Sequence, residues 1–157
     1  MKKTAFVFVL CLSALLLIGC NTEKDITERT ATINGSTYSD YEGVGISIEN
    51  ITLDKENTQI EIKWKNDTKY NVIYGEYYII EHEINGEWKI CETPDNGYGF
   101  LGIGYILEPG TLNKTYNTYK MFDLSKPGKY RISTDCHIET THENRENCNV
   151  WAEFIIE

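Results

Sequence analysis

From residue 43 onward the chain alternates apolar and polar side chains in short runs broken by turn residues, and no window of about 11 residues carries a helical stripe. The clearest run is QIEIKWK, where Ile60, Ile62 and Trp64 fall on one face and Glu61, Lys63 and Lys65 on the other. That is the pattern of an antiparallel strand with one face buried. GISIENITL places Ile46 and Ile48 in step and then changes phase to Ile51 and Leu53, which predicts a bulge or bend near Asn50. Asp54 to Asn57 joins these two runs as a polar turn, and KNDTKYN marks another after Trp64.

GEYYIIEHEINGEWKICE reads as a hairpin around Asn85-Gly86. A two-residue loop would set Trp88 against Glu83 and Ile90 against Glu81. A three-residue loop instead gathers Ile80, His82, Ile84, Trp88 and Ile90 on one apolar face and leaves Glu81, Glu83 and Lys89 outside, so the pattern favours an odd-numbered loop. His82 then points to the apolar side, where a neutral, hydrogen-bonded imidazole is preferred over a ligand or a base.

The connection TPDNGYGFLGIGYILEPG is rich in glycine and aromatic residues, and Gly97, Gly99, Gly102 and Gly104 argue against a regular buried strand. Tyr98, Phe100, Leu101 and Tyr105 form the candidate binding loop, because an apolar patch displayed there would mark a contact surface. The plainer account folds them over one end of the core and is preferred, since apolar residues are buried more often than displayed. Beyond the loop, Tyr130, Ile132, Cys136 and Ile138 share one parity, and Val150, Ala152, Phe154 and Ile156 share another. The pattern is all-β: about seven short antiparallel strands, 8 to 15 residues apart over roughly 115 residues, the size of an immunoglobulin-like β-sandwich.

The first 40 residues differ. Lys2 and Lys3 precede an almost unbroken apolar run from Ala5 to Ile18, shorter than the roughly 20 residues that span a bilayer, so it reads as a secretory signal. The run ends Leu17-Ile18-Gly19-Cys20, which resembles the lipobox of bacterial lipoproteins. The resemblance implies a signal peptide over 1–19, a diacylglyceryl group on the Cys20 thiol, cleavage before it, and a chain held to the bilayer through acylated Cys20 on the extracytoplasmic face of the cell membrane. Several acyl chains, at about 0.8 kcal/mol per buried methylene, hold far more firmly than one. Residues 20–40 are polar and aperiodic, predicting a flexible linker before a domain over 41–157, with TATIN as an alternative edge strand.

Charge narrows the partners. The precursor carries 15 Lys+Arg against 24 Asp+Glu, a net charge of −9; loss of Lys2 and Lys3 takes it to about −11. Such a body repels nucleic acid and anionic lipid, so no nucleic-acid partner is expected. Evenly spread carboxylates otherwise serve to solvate the surface.

After Cys11 leaves with the signal and Cys20 is acylated, Cys91, Cys136 and Cys148 remain. Cys136 and Cys148 bracket a short loop and would meet across a hairpin, so three states are open to them: a disulfide, free buried thiols, or a metal site drawing on His137 and His142. The metal is disfavoured because Cys136 and His137, adjacent on a strand, point to opposite faces. His142-Glu143 lacks the second histidine of a zinc-protease helix, and no serine lies in a nucleophile elbow. No catalytic residue, metal or cofactor is therefore expected.

Two further resemblances concern the body. Leu124-Ser-Lys-Pro-Gly-Lys-Tyr130 resembles the tyrosine corner of immunoglobulin and fibronectin type III domains, which implies that the Tyr130 hydroxyl bonds back to the preceding crossover. Ile132 then stands where the second immunoglobulin cysteine would be, so that disulfide is missing. The ordered set YGEYYIIEHEINGEWKIC, LEPGT, DLSKPGKYRI and VWAEFII resembles the bacterial Ig-like domain of extracytoplasmic lipoproteins. It implies a fold and an extracytoplasmic address but supplies no catalytic residues, and the function expected for such a chain is a non-catalytic recognition module that contacts an envelope protein, peptide or glycan. A small proteinase-inhibitor-like sandwich, or an envelope enzyme without local motifs, is the alternative.

Overall fold

The structure, a computed structural model, describes residues 29–54, 58–91, 99–118, 121–141 and 144–157. The signal peptide and Cys20 lie outside the described residues, as do Tyr98 and His142. Ten strands run through the described residues: β1 (Ala31–Ser39), β2 (Val44–Thr52), β3 (Gln59–Asn66), β4 (Asn71–Gly75), β5 (Ile79–Ile84), β6 (Glu87–Ile90), β7 (Gly104–Leu107), β8 (Gly110–Asn117), β9 (Gly128–Glu139) and β10 (Arg145–Ile156). They form two antiparallel sheets. The smaller has the order β2-β3-β8; the larger has the order β1-β10-β9-β4-β7, with β5 also on β9 and β6 on β5. This is the expected all-β sandwich.

The strand number exceeds the seven expected for two physical reasons. Strands β4 and β5 lie end to end along the same side of β9, pairing Tyr74 with Cys136 and Ile79 with Ser133, and the chain leaves the ladder between them. The segment around TATIN, read mainly as linker, is β1. It pairs with β10 from Ala31 opposite Ile156 to Ser39 opposite Val150, across a bulge between Ile33 and Thr37. Strand β1 thus belongs to the sandwich although it lies upstream of the expected boundary at residue 41. Polar composition concealed β1 because it is an edge strand whose ladder bonds to β10 require few apolar side chains.

The alternating runs bury the side chains their parity indicates. Ile60, Ile62 and Trp64 of β3 are at most 1% exposed, and they face Tyr130, Ile132 and Ile138 of β9 and Val150, Phe154 and Ile156 of β10 across the sandwich. The phase change in β2 is a bulge: Ile48 pairs with Ile62 and Asn50 with Glu61, leaving Glu49 as the extra residue. That bulge returns Ile51 to the core side opposite Ile60.

The β5–β6 loop corrects the odd-numbered expectation. Ile84 pairs with Glu87 and Glu83 with Trp88, so Asn85-Gly86 is a two-residue turn. Both residues have positive φ, 55° and 81°, the conformation of a type I′ turn that matches strand twist. Trp88 and Ile90 consequently share the outer face with Glu83 and Glu81, while Lys89 shares the face of His82. Within the hairpin alone, carboxylates beside Trp88 are unfavourable. The neighbouring strand removes that penalty: the Arg131 guanidinium forks onto Glu81, with Nη2 donating to Oε1 at 2.9 Å, and lies 4.6 Å from the Trp88 ring centroid. Cys91 takes the inward position instead of Ile90, which is 59% exposed.

The resemblance to a tyrosine corner holds in geometry. The Tyr130 hydroxyl donates to the Lys126 carbonyl at 2.7 Å, and the ring is buried between His82 at 4.4 Å and Phe154 at 5.5 Å. Burial pushes the phenol up to about 12, so the hydroxyl stays a donor at neutral pH. Gly128 sits two residues earlier with φ 148°, and a methyl group there would lie 2.3 Å from His82 Nε2. The glycine is what lets the imidazole slide over the corner. Ile132 fills the cysteine position of an immunoglobulin core and is fully buried between Ala152 and Ile80 on the neighbouring strands.

Two stability outcomes follow from this corner. Tyr130→Phe should lower unfolding free energy by about 1 to 2 kcal/mol in urea denaturation, the cost of one buried hydrogen bond and an orphaned carbonyl. Gly128→Ala should cost roughly 1–3 kcal/mol from backbone strain and displacement of the His82 ring, and adding His82→Ala should recover only part of it because the positive φ remains. An unchanged urea midpoint for Gly128→Ala would refute the close approach.

Candidate functional site

Strand β7 is the outer strand of the larger sheet beside β4, and β8, reached across Glu108-Pro109, is the outer strand of the smaller one. Between them Lys114 of β8 spans the gap. Its parity is that of Leu112 and Tyr116, which pair with Trp64 and Ile60 on β3, so the ammonium is directed toward the inside of the sandwich. The surroundings suit it. Nζ lies 3.0 Å from Glu76 Oε1 and 5.1, 4.6 and 5.2 Å from the ring centroids of Tyr74, Tyr105 and Tyr116. A hydrogen bond from Tyr105, joined by the contact with Lys114, holds the Glu76 carboxyl below its usual range. The same bond to Glu76 raises the Tyr105 phenol.

An inward-pointing lysine makes β8 a poor template for another strand. Strand β7 presents apolar side chains instead: Ile106 is 63% exposed, and the approach to the strand adds Leu101 at 69% and Ile103 at 45%. The Ile103 N–H donates to the Leu101 carbonyl at 2.8 Å, a tight turn just before the strand starts at Gly104. Tyr77, half exposed, borders the same stretch through its edge-on contact with Phe100 at 5.2 Å.

The glycine-rich loop thus divides between its two readings. Phe100 packs edge-on against Tyr77 and Tyr78 and leans on the core, as the plainer account holds. Tyr105 stacks on Tyr74 at 5.4 Å in the lysine cage. Leu101 is displayed, as the binding account holds. Ile103 and Ile106 were not singled out from the sequence, although the spacing Leu-Gly-Ile-Gly-Tyr-Ile alternates apolar with small residues in a way that could have shown them. Lys114 had a signal too, in its shared parity with Leu112 and Tyr116.

The outer face of the larger sheet carries a second aromatic array with a different geometry. Tyr38 stacks on Trp151 at 5.5 Å with planes 8° apart, and Arg131 lies 5.7 Å from Trp151 and 4.6 Å from Trp88. The rings face one another and the guanidinium, which makes this a ladder across strands rather than a flat platform. Lys129 extends it, 2.8 Å from Glu153 and 5.2 Å from the Trp88 centroid.

The remaining candidate residues are dispersed. His82 stacks on Tyr130 at the rim of a cleft of about 260 Å³ lined also by Lys89, Cys91, Asp123 and Lys126. His137 lies on the outer face of β9 with Nδ1 3.0 Å from Asn147 Oδ1. Among the described residues no group of three or more histidine, cysteine, aspartate and glutamate side chains is placed to hold a metal ion. Burial pushes the Cys91 thiol up to about 12. Cys136 and Cys148 are directly opposed on β9 and β10, as their bracketing of the hairpin loop predicts, and both are buried thiols.

No curated protein matches this chain. A model of the bacterial Ig-like domain matches residues 40–154, most of the chain, from just after β1 to two residues short of the end of β10. The paired sheets, the corner at Tyr130 and this match agree, and the chain belongs to the bacterial Ig-like domain family.

Proposed function

We propose that this protein is a lipid-anchored recognition module of the cell envelope, moored outside the cytoplasm through acylated Cys20, whose Ig-like body binds an envelope protein, peptide or glycan without catalysis. The observation that carries the binding role is the apolar rim of β7: Leu101, Ile103 and Ile106 expose side chains beside a strand whose outer edge is unpaired among the described residues. An extended segment could add to that edge through backbone hydrogen bonds while its side chains meet the apolar rim. The lysine cage supports the same direction, because Lys114 guards the neighbouring edge and leaves β7 as the accessible one. The anchor rests on the charged start, short apolar run and Gly19-Cys20 junction of the sequence.

Two measurements test the two halves separately. Mass spectrometry of the membrane-extracted chain should find a diacylglyceryl group on Cys20, and Cys20→Ala should release the protein from the membrane; an unmodified Cys20 refutes the anchor. Changing Leu101, Ile103 and Ile106 together to Ser should weaken capture of the envelope partner held by the parent chain about tenfold or more, with little change in the urea midpoint. Equal capture by both forms would place the contact elsewhere on the molecule.

A further inference from the structure

We propose that Cys136 and Cys148 are a built-in redox pair that closes to a disulfide across β9 and β10 and fastens the far end of the sandwich. The pairing register is the first observation: the two residues are directly opposite in the antiparallel ladder, flanked by Asp135 opposite Asn149 and His137 opposite Asn147. Opposed residues in such a ladder have Cα atoms about 4.5 or 5.5 Å apart, and both spacings lie within the disulfide range. The Cα spacing of the pair is therefore compatible with a bond between them.

The second observation is the surroundings. Both side chains point into the core and are at most 2% exposed. The two thiols face each other across the ladder, and Cys148 Sγ is 3.6 Å from the Ser39 hydroxyl at the end of β1. The Ser39 hydroxyl donates to the Tyr41 carbonyl at 2.9 Å, so the pair sits where the β9–β10 hairpin meets the corner leading to β2. The interaction with Cys136 draws the Cys148 thiol below its ordinary value, while the same interaction and burial push Cys136 up. Cys148 is thus the thiol prepared to ionise first.

The third observation separates the pair from the remaining buried thiol. Cys91 hydrogen-bonds through its backbone to Ile80, which pairs with Ile132, at the end of β9 occupied by Tyr130. Four residues of strand, roughly 13 Å, divide that position from Cys136 along the sheet. Cys91 has no thiol partner within its reach among the described residues.

The oxidant is an organic disulfide of the glutathione or dithiol-oxidoreductase class. The Cys148 thiolate attacks one sulfur of that donor and expels the other as a thiolate, forming a mixed disulfide. Cys136, losing its proton, attacks the Cys148 sulfur and expels the second donor thiolate. The protein gives up two electrons and two protons, and the donor leaves as two thiols. Because the folded pair is covered, closure accompanies folding, or an opening of the Ser39–Tyr41 corner.

The test uses the full chain extracted in nonionic detergent. After refolding with oxidised glutathione, proteolysis without reductant should yield one crosslinked pair of peptides joining Cys136 to Cys148, with Cys91 alkylated only after unfolding. Dithiothreitol should lower the melting temperature by roughly 10 °C, the effect of releasing a short covalent loop in a domain of this size. Cys91→Ala should retain that reductant-dependent shift, and Cys136→Ala with Cys148→Ala should abolish it. Full alkylation of Cys136 and Cys148 after oxidative refolding, a crosslink that includes Cys91, or a melting temperature indifferent to dithiothreitol would each overturn the proposal.

Discussion

The β9–β10 ladder carries the rest of the molecule. Its register runs without a break from Gly128 opposite Ile156 to Glu139 opposite Arg145, and every other strand of the larger sheet attaches to one of its two sides. Strand β10 receives β1; β9 receives β4 and β5 in series, and through them β7 and β6. A one-residue slip of either strand against the other would turn its own inward set outward, Tyr130, Ile132 and Ile138 on β9 or Val150 and Phe154 on β10, and all five are fully buried. Register is therefore held by the cost of exposing the core, and the corner bond from Tyr130 to Lys126 pins one end of it.

From that ladder the accessible and protected edges follow. The smaller sheet ends in β8, where Lys114 is turned inward and held by Glu76 and three tyrosines. A partner strand meeting β8 would have to disturb this cluster, whereas one meeting β7 would cover Leu101, Ile103 and Ile106, which are exposed. The same arrangement explains why Tyr105 does not join that rim: its ring is stacked on Tyr74 and covered by the Lys114 ammonium. Packing has sorted one apolar loop into a structural half and a displayed half.

The outer face of the larger sheet shows how cross-strand electrostatics can overrule a hydrophobicity pattern. Alternation alone favoured an odd-numbered loop at Asn85-Gly86 because it kept Trp88 away from Glu81 and Glu83. The pattern could not include Arg131 and Lys129, some 45 residues later in the chain, whose charges sit on the carboxylates and over the indole ring. With the cations in place, the turn adopts the conformation that Asn-Gly favours locally. A local preference and a distant partner agreed, and the intermediate-range pattern gave way.

What the amino-acid order determined alone was the parity of the strands: which residues of β3, β9 and β10 face inward, where β2 must bulge, and that Tyr130 follows a corner. Side chains in a strand alternate with period two, so burial of one face is written directly into neighbouring residues. Tertiary structure alone decided the partners. It placed β1 against β10, set Lys114 among Tyr74, Tyr105 and Tyr116, divided the glycine-rich loop between core and rim, and brought Ser39 to Cys148. These contacts join segments far apart in the chain, and their energies depend on distances and screening that no local run of residues contains.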